Sequence, residues 1–418
     1  MNKHMLSVIT SIICSLSLTV SIVFLAGAQA SAQCPLPELT SGLHIPLGIT
    51  QSGRGNLLVS ETGATTNSGR ITIVDLNGQR RTLLAGLPSG INDVNEPSGP
   101  SGLFLSGRTL YVAIGIGDSI QAVPGGVVGN PNPSSPIFSS ILAIKFSAHV
   151  ERVTSGFNLT LADHQALANG ERVRLSNGGG DTITIELVAN FPDFTPNPLP
   201  TLPTNVRGSN PFDLVLVTDR DRDGDDRRRD DGANEGDRCE SELLYVTDGG
   251  QNLVWRVDVN SGGFSMLAVF PPIPNPLFPA VGGPFMEAVP TGIVHSDGQL
   301  LVTLFRGVPF APGTSVVQQV NPLTGSNSPF ITGLKTANDV RPLRNRHDTD
   351  YLVLQHSSAP GPFFGTPGRL LRFETPSSTP TVLADCLIRP TSMKLDEQSG
   401  RLYITELAGR IVSVPIAP

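Results

Sequence analysis

The densest chemistry in this chain is the run Asp219-Arg-Asp221-Arg-Asp223-Gly224-Asp225, with Asp230 at its twelfth position. Carboxylates on alternate residues can turn inward round one hard cation, and a glycine in sixth place permits the sharp turn that a calcium loop needs. Two features count against such a site. Asp230 stands where a bidentate Glu is usual, and Arg220, Arg222, Arg227, Arg228 and Arg229 largely neutralise the acids. Two readings follow: a structural calcium site held by Asp219, Asp221, Asp223, Asp225 and Asp230, or a solvated loop of mixed charge.

A second set of oxygen-bearing residues is dispersed: Glu61, Asp93, Asp118, Asp248, Asn252, Glu287, Asn338, Asp339 and Glu406. Most of them stand at the edges of a recurring pattern. Its first half is a Pro-x-Gly-aliphatic opening at Pro46, Pro100 and Pro290, with relaxed copies at Pro211, Ala337 and Pro390. Its second half is a strand of the Leu-Tyr-Val-Thr-Asp type, ending at Glu61, Ile114, Asp248, Leu304, Gln355 and Glu406. Six copies of a two-strand unit predict an all-β, six-bladed β-propeller. Proline suits the first residue of a strand, and glycine lets neighbouring backbones crowd near an axis.

Third strands are expected over Arg70–Leu76, Ile141–Phe146, Leu253–Val259, Val316–Val320, Arg369–Phe373 and Arg410–Pro415. Fourth strands are expected over Arg81–Ala85, Phe264–Phe270, Ser328–Ile331 and Thr381–Ala384. The sixth unit ends after its third strand. The segment Pro37–Ser41 stands where a fourth would be, so the N-terminus is expected to complete the last blade and remove its open edge. The second interval is far longer than the others. A helix over Leu161–Asn169, stopped by Gly170, and strands over Arg172–Ser176 and Thr182–Val188 joined through Asn177-Gly-Gly-Gly180 read as an insertion in blade two, spanning about 150–190. A seventh blade is the rival reading, without a Pro-x-Gly opening of its own.

The opening-side rim is where first-strand starts and second-strand ends converge. A ring of Asp, Asn and Glu there can hold a divalent metal. Equally, such residues at strand ends cap turns and accept backbone amides. Ile114 and Leu304 interrupt the ring, which favours capping. The acidic loop joins the first and second strands of blade three, so it projects from the opposite face.

The chain's 418 residues carry a net charge of -7, which gives no basic face for nucleic acid. Its 44 glycines and 36 prolines suit many turns. Residues 1–32 read as a signal peptide: Lys3, an apolar run Leu6–Leu25, and small-residue sites near Ala28–Ala32. An uncleaved anchor is the rival reading, because the run approaches membrane-spanning length. No later segment would span a bilayer. With cleavage the protein is secreted or periplasmic, a single propeller domain over 33–418. Cys34, Cys239 and Cys386 then remain and allow at most one disulfide, whose pairing is open. There is no nucleophile elbow, zinc-protease helix or phosphate loop, and the histidines are scattered and read as surface or turn residues.

Several stretches resemble the ScyD/ScyE family of exported bacterial propellers. They are Ser209-Asn-Pro-Phe212, Tyr245–Asp258, Glu287-Ala-Val-Pro-Thr-Gly292 and Phe305-Arg-Gly-Val-Pro-Phe-Ala-Pro-Gly313. The resemblance runs from Leu43 to Val414 and implies a six-bladed, NHL-like or TolB-like fold outside the cytoplasm, with no established reaction and no catalytic residues to transfer. The expected function is a monomeric binding or scaffold module for a small molecule or protein. Its site would lie over the channel mouth, at Glu61, Asp248, Asn252, Glu287, Asn338, Asp339 and Glu406. The alternative is a metal-dependent lactonase, hydrolase or lyase using such residues as Glu61, Asn338, Asp339 and Glu406. Calcium is the only cofactor suggested.

Overall fold

The computed structural model describes residues 34–153, 156–218, 242–344 and 348–416. Asp219, Asp221, Asp223, Asp225 and Asp230, Cys239 and the N-terminal segment expected to be a signal peptide lie outside them. Six antiparallel sheets follow one another round an axis as a six-bladed β-propeller. The innermost strands are Pro46–Gln51, Pro100–Ser106, Pro211–Thr218, Pro290–Ser296, Ala337–Arg344 and Pro390–Asp396, each beginning at a repeat opening. Each pairs with the Leu-Tyr-Val-type strand that follows it, and each pairing carries a register shift just after the opening residue. Ile49, Leu103, Leu214, Ile293, Val340 and Met393, one from each inner strand, are buried between blades.

The third opening position shows why glycine recurs there. A Cβ at Gly102 would lie 2.5 Å from the Cα of Asp213, and one at Gly292 would lie 2.8 Å from the Cα of Asp339. Neighbouring inner strands meet at this level, and a side chain fits only where the next blade leaves room.

Ring closure is as expected. Glu38–Ser41 pairs with Arg410–Pro415 and gives the last blade its outer strand. The preceding Cys34 forms a disulfide with Cys386, in the outer strand Thr381–Leu387 of blade five. This settles the pairing that composition left open.

Blade two differs from its expected description. Thr182–Asn190 is no insertion. It pairs with Ser140–Phe146 as the blade's fourth strand, and Val173–Ser176 adds a fifth. The inserted material is shorter. Phe157–Asn158 pairs in parallel with Arg80–Leu87, the outer strand of blade one. The helix Leu161–Ala168 follows, capped by Thr160 and Asp163 in a reciprocal capping box. Its His164 is fully buried, with Nε2 at 2.8 Å from the Gly86 carbonyl and Nδ1 at 3.1 Å from the Ser135 hydroxyl. That histidine ties blade one to blade two and is not a surface residue.

Elaborations gather on the face where inner strands begin, called the upper face below. The hairpins Gly90–Ile91/Pro97–Ser98, Ile120–Val123/Gly126–Gly129, Phe194–Pro196/Val206–Gly208 and Ile273–Pro274/Phe285–Met286 all rise from connections on that side. Among the described residues no helix is long and apolar enough to cross a membrane.

Candidate functional site at the upper mouth of the channel

The acidic residues that end second strands are all buried and all used internally. The Glu61 carboxylate accepts from the Arg70 guanidinium at 2.7 Å, from the Thr72 hydroxyl and from the His44 amide. Burial alone would raise its pKa; these donors outweigh it and hold the group below the usual carboxylate range. Glu406 accepts from the Ile388 amide at 2.7 Å and from Arg410. Asp248 accepts five donors: the Ser209 hydroxyl, the amides of Asn210, Gly250 and Gln251, and the Trp255 indole. In blade five, Gln355 instead donates to the Lys335 carbonyl at 2.9 Å. In all four blades the residue at this slot grips the chain one or two residues ahead of its own inner strand.

Asn338 and Asp339 lie deeper, on the inner strand of blade five. Asn338 donates to the carbonyls of Pro390 and Thr391 at 2.8 and 2.9 Å. It belongs to a ring of latches at the second opening position. Ser101 reaches the Pro211 carbonyl at 3.1 Å, Thr291 the Ala337 carbonyl at 3.4 Å and Thr391 the Pro46 carbonyl at 2.8 Å. Blades one and three carry Leu47 and Phe212 at this slot, which make no such bond.

The Asp339 carboxylate accepts the Met393 amide at 2.8 Å and the Ser392 hydroxyl at 3.2 Å, and pairs with Arg341 at 3.1 Å. The same guanidinium lies 3.9 Å from Asp213, whose carboxylate accepts the Ile293 amide at 3.1 Å. Burial raises both acids, Asp213 to about 7; Arg341 opposes the rise, and the Asp339 charge adds to the rise at Asp213. Asp213 and Arg341 were absent from the expected set, yet the sequence carries a signal for Asp213. It and Asp339 are the two acids in a slot that is Gly48, Gly102 and Gly292 in other blades and Ser392 in blade six.

Asn252 and Glu287 are brought together. The Asn252 amide group donates to Glu287, which also pairs with Arg207 at 2.8 Å, and Asn252 accepts the Val289 amide at 2.9 Å. Asp118 accepts the Ser134 amide and hydroxyl. The expected channel-mouth residues therefore fall into separate local groups. Asn252 and Glu287 share one, Asn338 and Asp339 are neighbours at the axis, and Glu61, Asp248 and Glu406 each stand in their own blade.

The residues just before each opening are Ile45, Gly99, Asn210, Val289, Thr336 and Arg389, and four of these (Ile45, Gly99, Asn210 and Arg389) line the mouth. Four of the six hold positive φ without being glycine: Ile45 at 56°, Val289 at 51°, Thr336 at 44° and Arg389 at 50°. Such backbone is costly for these residue types and is held by the surrounding fold. A cavity of about 420 Å³ is bounded by Ile45, Leu47, Ser101, Phe212, Arg389 and Leu407, with Glu96 at its edge. A second hollow of about 610 Å³ adjoins it, sharing Asn92 and Asn210 and reaching Arg207, Glu287 and Val289. Leu47 and Phe212, the two opening residues free of latch duty, thus supply apolar wall.

Behind Arg389 stands a packed aromatic group. His356 is buried, with Nδ1 at 2.9 Å from the Pro390 carbonyl and Nε2 at 3.3 Å from Arg389 Nε. Phe364 stacks on Phe310 at 4.1 Å, and the Arg389 guanidinium lies over Phe364 at 5.8 Å. The loop bearing Phe364 is wrapped round the Lys335 ammonium, which donates to the carbonyls of Ala359, Gly361 and Phe363 at 2.5, 2.6 and 3.1 Å. Sequence reasoning missed this group. Its only mark in the sequence is a lone cation in the slot before an opening.

No known family profile and no curated protein sequence matches the chain. Solved structures do match. A protein from Thermus thermophilus assigned as an oxidoreductase (glucose dehydrogenase) is 15% identical over 91% of this chain and 99% of its own, with a TM-score of 0.44. A gluconolactonase from Xanthomonas campestris is 11% identical over 92% and 96%, with a TM-score of 0.45. Likeness at this level says nothing about ligand or reaction.

Proposed function

We propose that this protein is an exported propeller that binds a small ligand in the upper mouth of its channel. The observation that carries the reading is the convergence of four pre-opening residues, Ile45, Gly99, Asn210 and Arg389, round a hollow of about 420 Å³, within the usual size of small-molecule sites. The acids of the same rim support binding over metal-dependent hydrolysis, because Glu61, Asp248, Asp339 and Glu406 already serve backbone amides and arginines. Four hairpins raised on the upper face support the choice of face. Export is supported by the Cys34–Cys386 disulfide, a bond that persists in oxidising compartments. Membership of the ScyD/ScyE family, as an exported propeller, is part of the same proposal.

The test is a crystallographic fragment screen of the mature protein beside a Leu407→Trp variant, which fills the mouth. Hits should cluster between Leu47, Phe212 and Arg389 in the native protein and vanish in the variant. Hits elsewhere, unaffected by the variant, would remove the mouth from consideration. Turnover of lactones with added divalent cations would overturn the binding-module reading in favour of the hydrolase.

A further inference from the structure

We infer that the mouth recognises a carboxylate: Arg389 presents its free guanidinium edge to the carboxyl group of a small ligand whose apolar body rests on Ile45, Leu47, Phe212 and Leu407. The inference rests on the mouth being the ligand site and adds the chemical class of what enters it. Among the six residues that precede inner strands, Arg389 is the only charged one.

Its posture is set from three sides. Positive φ at 50° fixes where the side chain leaves the backbone. Phe364 backs one face of the guanidinium, and that ring is itself held by Phe310 and by the loop round Lys335. His356 takes the Nε proton. With its own Nδ1 proton given to the Pro390 carbonyl, His356 offers only a lone pair at Nε2, so it must be neutral to do so. Burial first, and the adjacent guanidinium charge after it, push this histidine down to about 4, so it stays neutral across the physiological range.

That arrangement consumes Nε and leaves the two terminal nitrogens. No carboxylate among the described residues pairs with them. A pre-oriented guanidinium with its terminal donors free matches the two oxygens of a carboxylate. Ile45, Leu47, Phe212 and Leu407 give part of the wall an apolar face, which favours an organic acid with a hydrocarbon or aromatic body over an inorganic anion. Glu96 at the cavity edge disfavours ligands with a second negative charge.

The experiment compares benzoate and phenylacetate with the neutral amides benzamide and phenylacetamide, by titration calorimetry and ligand-observed NMR on the mature protein. The acids should bind at least about tenfold tighter than their amides, the margin of one charge-assisted pair. Arg389→Met should erase that margin by weakening the acids far more than the amides. His356→Phe, which keeps the ring packing but frees Arg389 Nε, should reduce the margin without abolishing amide binding. Circular dichroism melting confirms that each variant is folded. If acids and amides bind alike, and Leu407→Trp blocks both, the carboxylate inference falls while the mouth stands. If neither class binds at millimolar concentration, both fall.

Discussion

At the scale of single residues, two buried carboxylates at the axis share one guanidinium. Asp213 and Asp339 share Arg341, with Lys394 near the same guanidinium, so ionising both acids sets two buried carboxylate charges against one directly paired cation. Burial, ahead of any charge effect, raises both acids, Asp213 to about 7, and so favours a bound proton on the pair. A raised acid binds its proton more tightly folded than unfolded. Between the unfolded value near 4 and the folded value near 7, the native state therefore holds more protons, and stability falls as pH rises through that window. Asp213→Asn removes this titration and leaves Asp339 and Arg341 paired one to one. Denaturant unfolding at pH 5 and pH 8 should show the difference between the two pH values shrinking in the variant by roughly 1–3 kcal/mol toward relatively greater stability at pH 8. Comparing variant with wild type cancels the contribution of His356, and identical pH slopes would show that Asp213 does not carry the proton. The positions of such residues were legible: Glu61, Asp248 and Glu406 fall where the repeat places them. Their use was not, because a carboxylate at a strand end looks the same in sequence whether it faces a ligand or the amide of its own chain. Asp213 was legible only as a departure from glycine, a contrast visible once the six openings are aligned by slot.

At the scale of elements, the strands obeyed the repeat, and the connections did not. Inner and second strands follow from proline, glycine and alternation, all local properties. The hairpin in blade two was misread because its sequence shows where a turn lies but not which sheet its strands join. Pairing of Thr182–Asn190 with Ser140–Phe146 is decided by packing, through Ile183, Ile185 and their neighbours in one core with Leu142 and Ile144. The loop from Ser357 to Pro367 was illegible for a similar reason. Lys335, two residues ahead of an opening, is nearly fully buried and serves as the loop's core, with its ammonium in place of a hydrophobic residue. Lys335→Met keeps the length and removes the three donors. Hydrogen exchange of amides in 357–367 should then accelerate at least about tenfold while the strands of blade five keep their protection, as expected when a local unit loosens without global unfolding. Because Phe364 lies in that loop, the preference of the mouth for acids over amides should decline in the same variant. Unchanged exchange would mean that the loop is held by its aromatic packing alone.

At the scale of the molecule, the seam that closes the ring is also a wall of the mouth. Ile45 and Leu47 belong to the first blade and Arg389 and Leu407 to the last, so one side of the cavity exists only when the N-terminal strand is seated. The seam is held by the pairing of Glu38–Ser41 with Arg410–Pro415, by the Leu43 amide on the Gly409 carbonyl at 2.9 Å, and by the Thr391 hydroxyl on the Pro46 carbonyl. The Cys34–Cys386 disulfide then ties the closing strand to blade five across a sequence separation of 352 residues. A cross-link over so long a loop removes much freedom from the unfolded chain, about 6 kcal/mol in the chain-entropy account. Replacing both cysteines by serine should lower Tm by roughly 5–10 °C, given the size dependence of the melting entropy, and should speed hydrogen exchange in Glu38–Ser41 before it speeds exchange in the middle blades. A ligand seated between Arg389 and Ile45 would bind only the closed ring. Saturating phenylacetate should therefore slow exchange at that strand in the double-serine variant and restore part of its Tm by mass action. Restoration of Tm without protection of Glu38–Ser41 would place the ligand away from the seam and separate ring closure from recognition.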